Sequence, residues 1–212
     1  MLKKIVLIGG GGHCKSCMEV IHSLPHYTIY GVLDSTLPVG ASIMGYPVLG
    51  NDLLIPQLIQ EGCEFLITIG KLDTPSPRKI IFDTIKKSGG KLATVIASTA
   101  LVSSHAKIGE GTIVMHGVIV NVDSVIGDNC IINTRAILEH DTHVSAHTHI
   151  STNVVLNGAV HVGSDCFIGS SSVVVHGISI TDQVIVGANA TVVSPITESS
   201  MYVGSPAKPI KK

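Results

Sequence analysis

The sequence has no tryptophan, and aromatic residues are only 3% of its 212 residues. A core made without large rings has to be filled by many small aliphatic side chains in a regular frame. Charge is scarce as well: 14% of residues, with 14 Lys and Arg against 15 Asp and Glu and a formal net charge of -1. With no run of basic residues, nothing draws a polyanion over a broad surface, which excludes nucleic acid as a partner class. No apolar stretch approaches the ~20 residues of a membrane-spanning helix. The mean hydropathy of +0.47 therefore reports buried strands. The opening MLKKIVLIGGGG has two lysines and an apolar run, but that run is too short for a secretory leader and ends in glycines. A soluble cytoplasmic protein is expected. Five cysteines (Cys14, Cys17, Cys63, Cys130, Cys166) are an odd number without framework spacing, and Cys14-Lys-Ser-Cys17 lacks the context of a redox motif.

What is abundant is periodic. From Val102, steps of six reach Ile108, Val114, Val120, Ile126, Ile132, Leu138, Val144, Ile150, Leu156, Val162, Ile168, Val174, Ile180, Val186 and Val192, an unbroken aliphatic series. Four residues after most of these stand small or slim side chains, among them Ala106, Thr112, Ser124, Cys130, Ala136, Thr142, Thr148, Cys166, Ser172 and Ala190. A hexad of this kind forms one short strand and one tight turn, and three hexads close a triangular coil of a parallel β-helix. Period-two alternation would not hold one phase of six for this long, which argues against a β-sandwich. Glycine directly after the aliphatic residue (Gly109, Gly127, Gly163, Gly169, Gly187) is expected to serve turns whose backbone conformation penalises a Cβ. A prism with an aliphatic interior has no concave pocket of its own. Small-molecule sites are expected between subunits or against another domain.

The first 90 residues read differently. Lys3 to Ile8 is a buried-strand run, followed by Gly9-Gly10-Gly11-Gly12-His13 and a helix-compatible stretch from Lys15 to Leu24. Strands are expected at Thr28–Leu33, ending in Asp34, and at Glu64–Ile69, ending in Gly70, with a helix over Arg78–Lys87. This order implies a small parallel sheet of Rossmann-like α/β type in residues 1–90, ahead of an all-β helix in residues 91–212. Glycines between a strand and a helix N-terminus let backbone N–H groups approach a phosphate, so a nucleotide belongs there. The dinucleotide fingerprint G-x-G-x-x-G fails, because its third glycine would fall at Cys14. Asp34 stands either as a ribose or base acceptor or as a solvated strand-end acid, and His13 either as a phosphate contact or as a helix cap.

IGGGGH at the start, LD after the second strand, ITIG after the third, the hexads, ILEHD in mid-solenoid and YVGSPAKPI at the end together resemble the bacterial nucleotide-sugar acetyltransferases. The chain is similar over nearly its whole length to the UDP-4-amino-sugar N-acetyltransferases that make bacillosamine and related sugars, and to sialic acid O-acetyltransferases of like architecture. The resemblance implies a left-handed β-helix that forms a homotrimer, with acetyl-CoA in a groove between neighbouring prisms. It implies His140, within Glu139-His140-Asp141, as general base, with Asp141 as its acidic partner. His149 falls where the family places a histidine beside the thioester, and Gly158, Ser170 and Ala188 fall on the pantetheine groove. The nucleotide-sugar side maps onto Gly11, Gly12, His13, Asp34, Ser35 and Gly70. Lys71 departs from the small polar residue expected there.

The implied reaction, acetyl transfer from acetyl-CoA to a sugar amine, needs a base for the nucleophile's proton and donors for the developing oxyanion, and no metal. Histidine suits the base, its ordinary pKa of about 6.5 lying near working pH. In the hexad register neither His140 nor His149 takes an interior phase, so both are expected at the surface or a subunit interface. Asn133, one turn before His140, is as readily a corner residue as a ligand. Three other functions compete. O-acetylation of sialic acid would use the same base and donor. A zinc-dependent hydratase like the gamma-class carbonic anhydrases would use His140, His143, His147 and His149, although successive hexads place these on different faces. A non-catalytic scaffold would leave ILEHD and VGSPAKP without purpose.

Overall fold

The computed structural model describes residues 2–70 and 77–210; Lys71 lies outside them. The N-terminal unit runs β1 (Lys3–Ile8), α1 (Gly12–His22), β2 (Tyr27–Leu33), β3 (Ser42–Ile43), β4 (Tyr46–Gly50), α2 (Ile55–Gln60), β5 (Glu64–Ile67), α3 (Pro77–Lys87) and β6 (Lys91–Leu92). Its sheet has the order β3-β4-β2-β1-β5-β6, parallel except for the β3–β4 hairpin at its edge. From β1 the chain crosses first to β2 and later to β5 on the opposite side. The carboxyl end of β1 is therefore the switch point where an open α/β sheet leaves a crevice.

Several boundaries differ from the sequence expectation. Helix α1 begins at Gly12, so the last glycine and His13 form its first turn and present free N–H groups there. Strand β5 stops at Ile67; the Thr68 N–H still bonds the Ile8 carbonyl at 2.8 Å, and beyond it side chains take over. The Thr68 hydroxyl donates to the carbonyls of Ile8 and Gly9 at 3.0 and 2.7 Å, and the Arg78 guanidinium takes the carbonyls of Ile67 and Ile69. Strand β6 carries the sheet to Leu92, two residues past the expected boundary.

From Val95 the chain winds as a left-handed parallel β-helix with three faces. The first face stacks Val95–Ile96, Ile113–Val114, Ile131–Ile132, His149–Ile150, Phe167–Ile168, Ile185–Val186 and Met201–Val203. The second runs from Leu101–Val102 to Thr191–Val192 and the third from Lys107–Ile108 to Ser179–Ile180. Partners are 18 residues apart, as in Ile113↔Ile131 and Ile119↔Ile137. The inward aliphatic series is buried from Val114 to Val192; Val102 and Ile108 are partly exposed because no coil lies beneath them. Each buried side chain contributes roughly 1.5–3 kcal/mol by leaving water. The slim phase also carries hydroxyl bonds between coils: Thr112 donates to the Gly127 carbonyl and Thr148 to that of Gly163, both at 2.8 Å.

The glycines after the aliphatic residues are not the turn residues expected. Gly109, Gly127, Gly163, Gly169 and Gly187 all lack a positive φ. Left-handed backbone recurs instead two positions later, at Gly111, Asp123, Asn129, Arg135, Asp141, His147, Asn153, Asp165 and Asn189, where Asn and Asp tolerate it best. The glycines after the aliphatics are there for space. A Cβ on Gly127 would stand 2.7 Å from the Ala146 nitrogen, and one on Gly169 2.6 Å from the Val186 oxygen. At these two positions the next coil's backbone fills the place of a side chain, whereas at Gly187 the Val203 side chain does.

The two units share one core. Cys14, Cys17 and Met18 of α1 belong to the same apolar cluster as Val95, Ile113 and Ile131 on the outer side of the first face. Buried Arg78 joins them in polar fashion, donating to the main-chain oxygen of Asn129 at 3.2 Å and to its Oδ1 at 2.8 Å. Burial holds this guanidinium down to about 10, and among the described residues no carboxylate pairs with it. Asn129 in turn bonds His147 at 3.0 Å.

Candidate functional site

The carboxyl ends of β1, β2 and β5 frame a cleft of about 330 Å³. Every residue that the sequence assigned to the nucleotide side lines it: Gly11, Gly12, His13, Asp34, Ser35 and Gly70. Asp34 organises this cleft. Its Oδ2 accepts the Gly10 N–H at 2.7 Å, and its Oδ1 accepts the N–H and hydroxyl of Thr36 at 2.8 and 2.7 Å and the Leu37 N–H at 3.1 Å. Desolvation pushes this carboxyl up, but the bonds from Thr36, Gly10 and Leu37 together hold it down to about 2. The acid thus ties the glycine loop to the segment after β2. Gly10 makes this possible, since a Cβ there would press into Leu37 and Ile43 at 2.7 and 2.8 Å.

His13 is held down to about 4, first by burial and then by the Arg78 charge. It is a neutral imidazole at physiological pH, with Nε2 3.5 Å from the Cys17 sulfur. It can offer a hydrogen bond to a ligand and no positive charge. The loop's capacity for an anion therefore comes from the N–H groups at the start of α1 and from the dipole of that helix.

Sequence reasoning missed Thr36, Thr68 and Asp52 on the cleft wall. The Asp-Ser-Thr order after β2 is a turn signal that could have found Thr36. Asp52, raised by burial and by the nearby Asp34 charge, arrives from the short helical turn ahead of α2 and had no sequence signal.

The second group lies on the β-helix. His140 occupies the corner between the second and third faces and is half exposed. Its Nδ1 stands 2.8 Å from Asp141 Oδ2, and Asp141 reaches it from left-handed backbone, φ 59°. With Nδ1 donating to the carboxylate, the lone pair is on Nε2. That edge lies over Gly158, one coil on, where a Cβ would sit 2.6 Å from both Cε1 and Nε2. Glu139 turns the other way and accepts from the Asn121 amide at 2.9 Å.

His149 departs from the expected exposure. It projects outward from the first face but is only 7% exposed. Phe167 packs edge-on against it, ring centroids 5.1 Å apart, and the Asn133 amide is 3.3 Å from its Nε2. Ser170 and Ala188 stack 18 residues apart on the corner between the first and second faces, Asn189 N–H donating to the Ser170 carbonyl at 2.9 Å. The Ser170 hydroxyl bonds that of Ser151 at 2.9 Å. One prism therefore does not bring His140 and Gly158 to the corner that carries Ser170 and Ala188. The four histidines of the zinc reading are likewise dispersed: His140 and His147 on two corners, His143 and His149 on two faces. Among the described residues no three metal-binding side chains are gathered, and no helix is long and apolar enough to cross a membrane.

The PglD N-terminal domain family matches residues 4–85, and the hexapeptide repeat of succinyl-transferase matches residues 159–194. A UDP-N-acetylbacillosamine N-acetyltransferase of Bacillus subtilis is 34% identical over 120 residues, 54% of this chain and 52% of that protein. The match thus spans about half the length of this curated relative. Two solved structures align end to end. The acetyltransferase domain of PglB from Neisseria gonorrhoeae, in complex with acetyl coenzyme A, is 30% identical with a TM-score of 0.89, covering 99% of this chain and 100% of that one. PerB from Caulobacter crescentus, in complex with CoA and GDP-perosamine, is 33% identical with a TM-score of 0.89, covering 100% and 99%.

Proposed function

The chain belongs to the hexapeptide-repeat sugar N-acetyltransferase family that carries a PglD-type N-terminal domain, and on that footing we propose that it moves the acetyl group of acetyl-CoA onto the 4-amino group of a nucleotide-linked amino-deoxysugar, most simply a UDP-sugar, in the making of surface glycan or glycoprotein sugars. The observation that carries this reading is the state of His140. It is a histidine on a rigid coil, exposed to an acceptor, with Nδ1 fixed by Asp141 at 2.8 Å and Nε2 unobstructed above a glycine.

In the proposed reaction the neutral sugar amine attacks the thioester carbonyl. The C–N bond forms, the C–S bond breaks after the tetrahedral stage, and the amine's proton passes to His140 Nε2 and on to the departing thiolate. Asp141 fixes the tautomer and stabilises the imidazolium formed on the way. His149 stands beside the thioester, its ring set by Phe167 and Asn133. Gly158, Ser170 and Ala188 line the pantetheine groove. The cleft in residues 1–90 takes the nucleotide through Gly11, Gly12, His13, Asp34, Ser35 and Gly70, and residues 91–212 perform the transfer. No metal takes part.

Since His140 and the Ser170–Ala188 corner lie on different edges of one prism, a site containing both requires a second copy. That requirement supports a homotrimer with each site shared between neighbours, working in the cytoplasm where acetyl-CoA and nucleotide sugars are found. The test is release of free CoA thiol with a panel of UDP-, dTDP- and GDP-linked 4-amino sugars, with His140→Ala as control. Turnover of one amino sugar, abolished in the variant, is expected. Silence on the whole panel with activity on free sialic acid would replace this reading with O-acetylation.

A further inference from the structure

His140 and Gly158 have a third companion. Adding 18 again reaches His176, and the corner hydrogen bonds follow the same step, Ala159 N–H to the His140 carbonyl at 2.9 Å and Gly177 N–H to that of Gly158 at 3.0 Å. Two coils of stacked strands separate His140 from His176 by roughly 9–10 Å along the prism. Their ring centroids are nevertheless only 6.3 Å apart, tilted by 46°, so the rings lean toward one another across the glycine. A Cβ at position 158 would fill this gap, since it would lie 2.6 Å from the His140 ring.

The gap is too wide for a bond from ring to ring. It suits a ligand whose two adjacent polar atoms each meet one imidazole at about 3 Å. His176 is exposed, among the described residues it has no hydrogen-bond or ion-pair partner, and its ring contact is with His140. A solvated solenoid histidine would have no reason to turn toward the one face of the corner that a glycine leaves open.

We propose that His176 is a specificity-determining residue of the acyl-transfer site: it hydrogen-bonds the hydroxyl vicinal to the reacting amine of the acceptor sugar and so points the amine's N–H at His140 Nε2. The inference rests on the amino-sugar reading above. It names the acceptor as a vicinal amino alcohol, recognised by one imidazole at each polar atom. His140 moves the proton; His176 holds the neighbouring oxygen and moves none.

The test is steady-state kinetics of His176→Ala and His176→Asn on the acceptor found by the panel, alongside its analogue deoxygenated at the vicinal carbon. The expected result is a rise of tenfold or more in acceptor KM for His176→Ala, with acetyl-CoA KM unchanged. Partial recovery is expected in His176→Asn, which keeps both a donor and an acceptor. The deoxy analogue should be indifferent to both changes. Acceptor KM within twofold of wild type in His176→Ala, or equal losses on the two acceptors, would overturn the inference while leaving the amino-sugar reading intact. Wild-type protein that turns over no nucleotide-linked amino sugar would overturn both.

Discussion

Gly158→Ala acts first on the proposed base, because the nearest atoms its methyl would meet belong to the His140 ring. Gly158 is buried and lacks a positive φ, so alanine suits its backbone. The added Cβ would be 2.6 Å from Cε1 and Nε2 of His140, about 1 Å inside ordinary carbon contact. The obstacle is the far end of a half-exposed side chain, so the imidazole swings out and the coil stays in place. Stability should change by no more than about 0.5 kcal/mol. Displacing a proton acceptor by about 1 Å costs on the order of a hundredfold in rate, or about 2.7 kcal/mol of barrier. The assay is CoA thiol release at saturating acetyl-CoA, with a thermal melt in parallel. A hundredfold lower kcat with an unchanged melt is expected. A kcat within threefold of wild type would mean that Nε2 above Gly158 is not the working atom, and the assignment of His140 would fall with it.

Two further outcomes follow from buried charge. His13 is held down to about 4 against an unfolded value near 6.5. Between those limits the unfolded chain takes up a proton that the folded chain refuses, so the stability carried by neutral His13 is complete above pH 6.5 and is lost as pH falls toward 4. Chemical denaturation at pH 7 and pH 4.5 should show a decline that His13→Gln reduces by up to about 3 kcal/mol; equal declines in the two proteins would refute the burial argument. Arg78→Leu leaves the carbonyls of Ile67, Ile69 and Asn129, and Asn129 Oδ1, without their donor. A loss of about 3–5 kcal/mol and a melting point lower by about 10 °C are expected, and a fall below 3 °C would show that the bridge between the units carries little.

The prism was legible because its rule is local and repeated. An aliphatic residue at every sixth position from Val102 to Val192 leaves few ways to fold, since each coil buries its row only against the next. The cleft at the carboxyl ends of β1, β2 and β5 was legible because each strand run is followed directly by its lining residues, the glycine loop, Asp34 and Gly70. Residues recruited across the chain were not. Asp52 reaches the cleft from the turn before α2, and Arg78 bonds Asn129 across a separation of 51 residues. His149 was placed on the correct side of its strand, yet its burial goes with the Phe167 ring and the Asn133 amide packed beside it, which no hexad register contains.

Glycine shows most sharply why position in a repeat does not reveal its purpose. Gly127 and Gly158 both stand in hexads and both leave out a Cβ that the surroundings would reject. At Gly127 the obstructing atoms are the Ala146 nitrogen and Cα and the Ser145 carbonyl carbon, which cannot yield without parting two coils. Alanine there should damage the fold. At Gly158 they are the imidazole atoms of a half-exposed histidine, which can yield at the expense of its orientation. Alanine there should damage the reaction and leave the fold alone. A glycine abutted by backbone serves the stacking; a glycine abutted by the tip of a mobile polar side chain reserves room for what that side chain does. Applied along this prism, the criterion assigns Gly127 and Gly169, abutted by backbone alone, to coil stacking; Gly109 and Gly163 meet the next coil's backbone beside the Asp128 and Asp182 carboxylates and cannot yield either, and Gly158, abutted by the imidazole alone, goes with the proposed base.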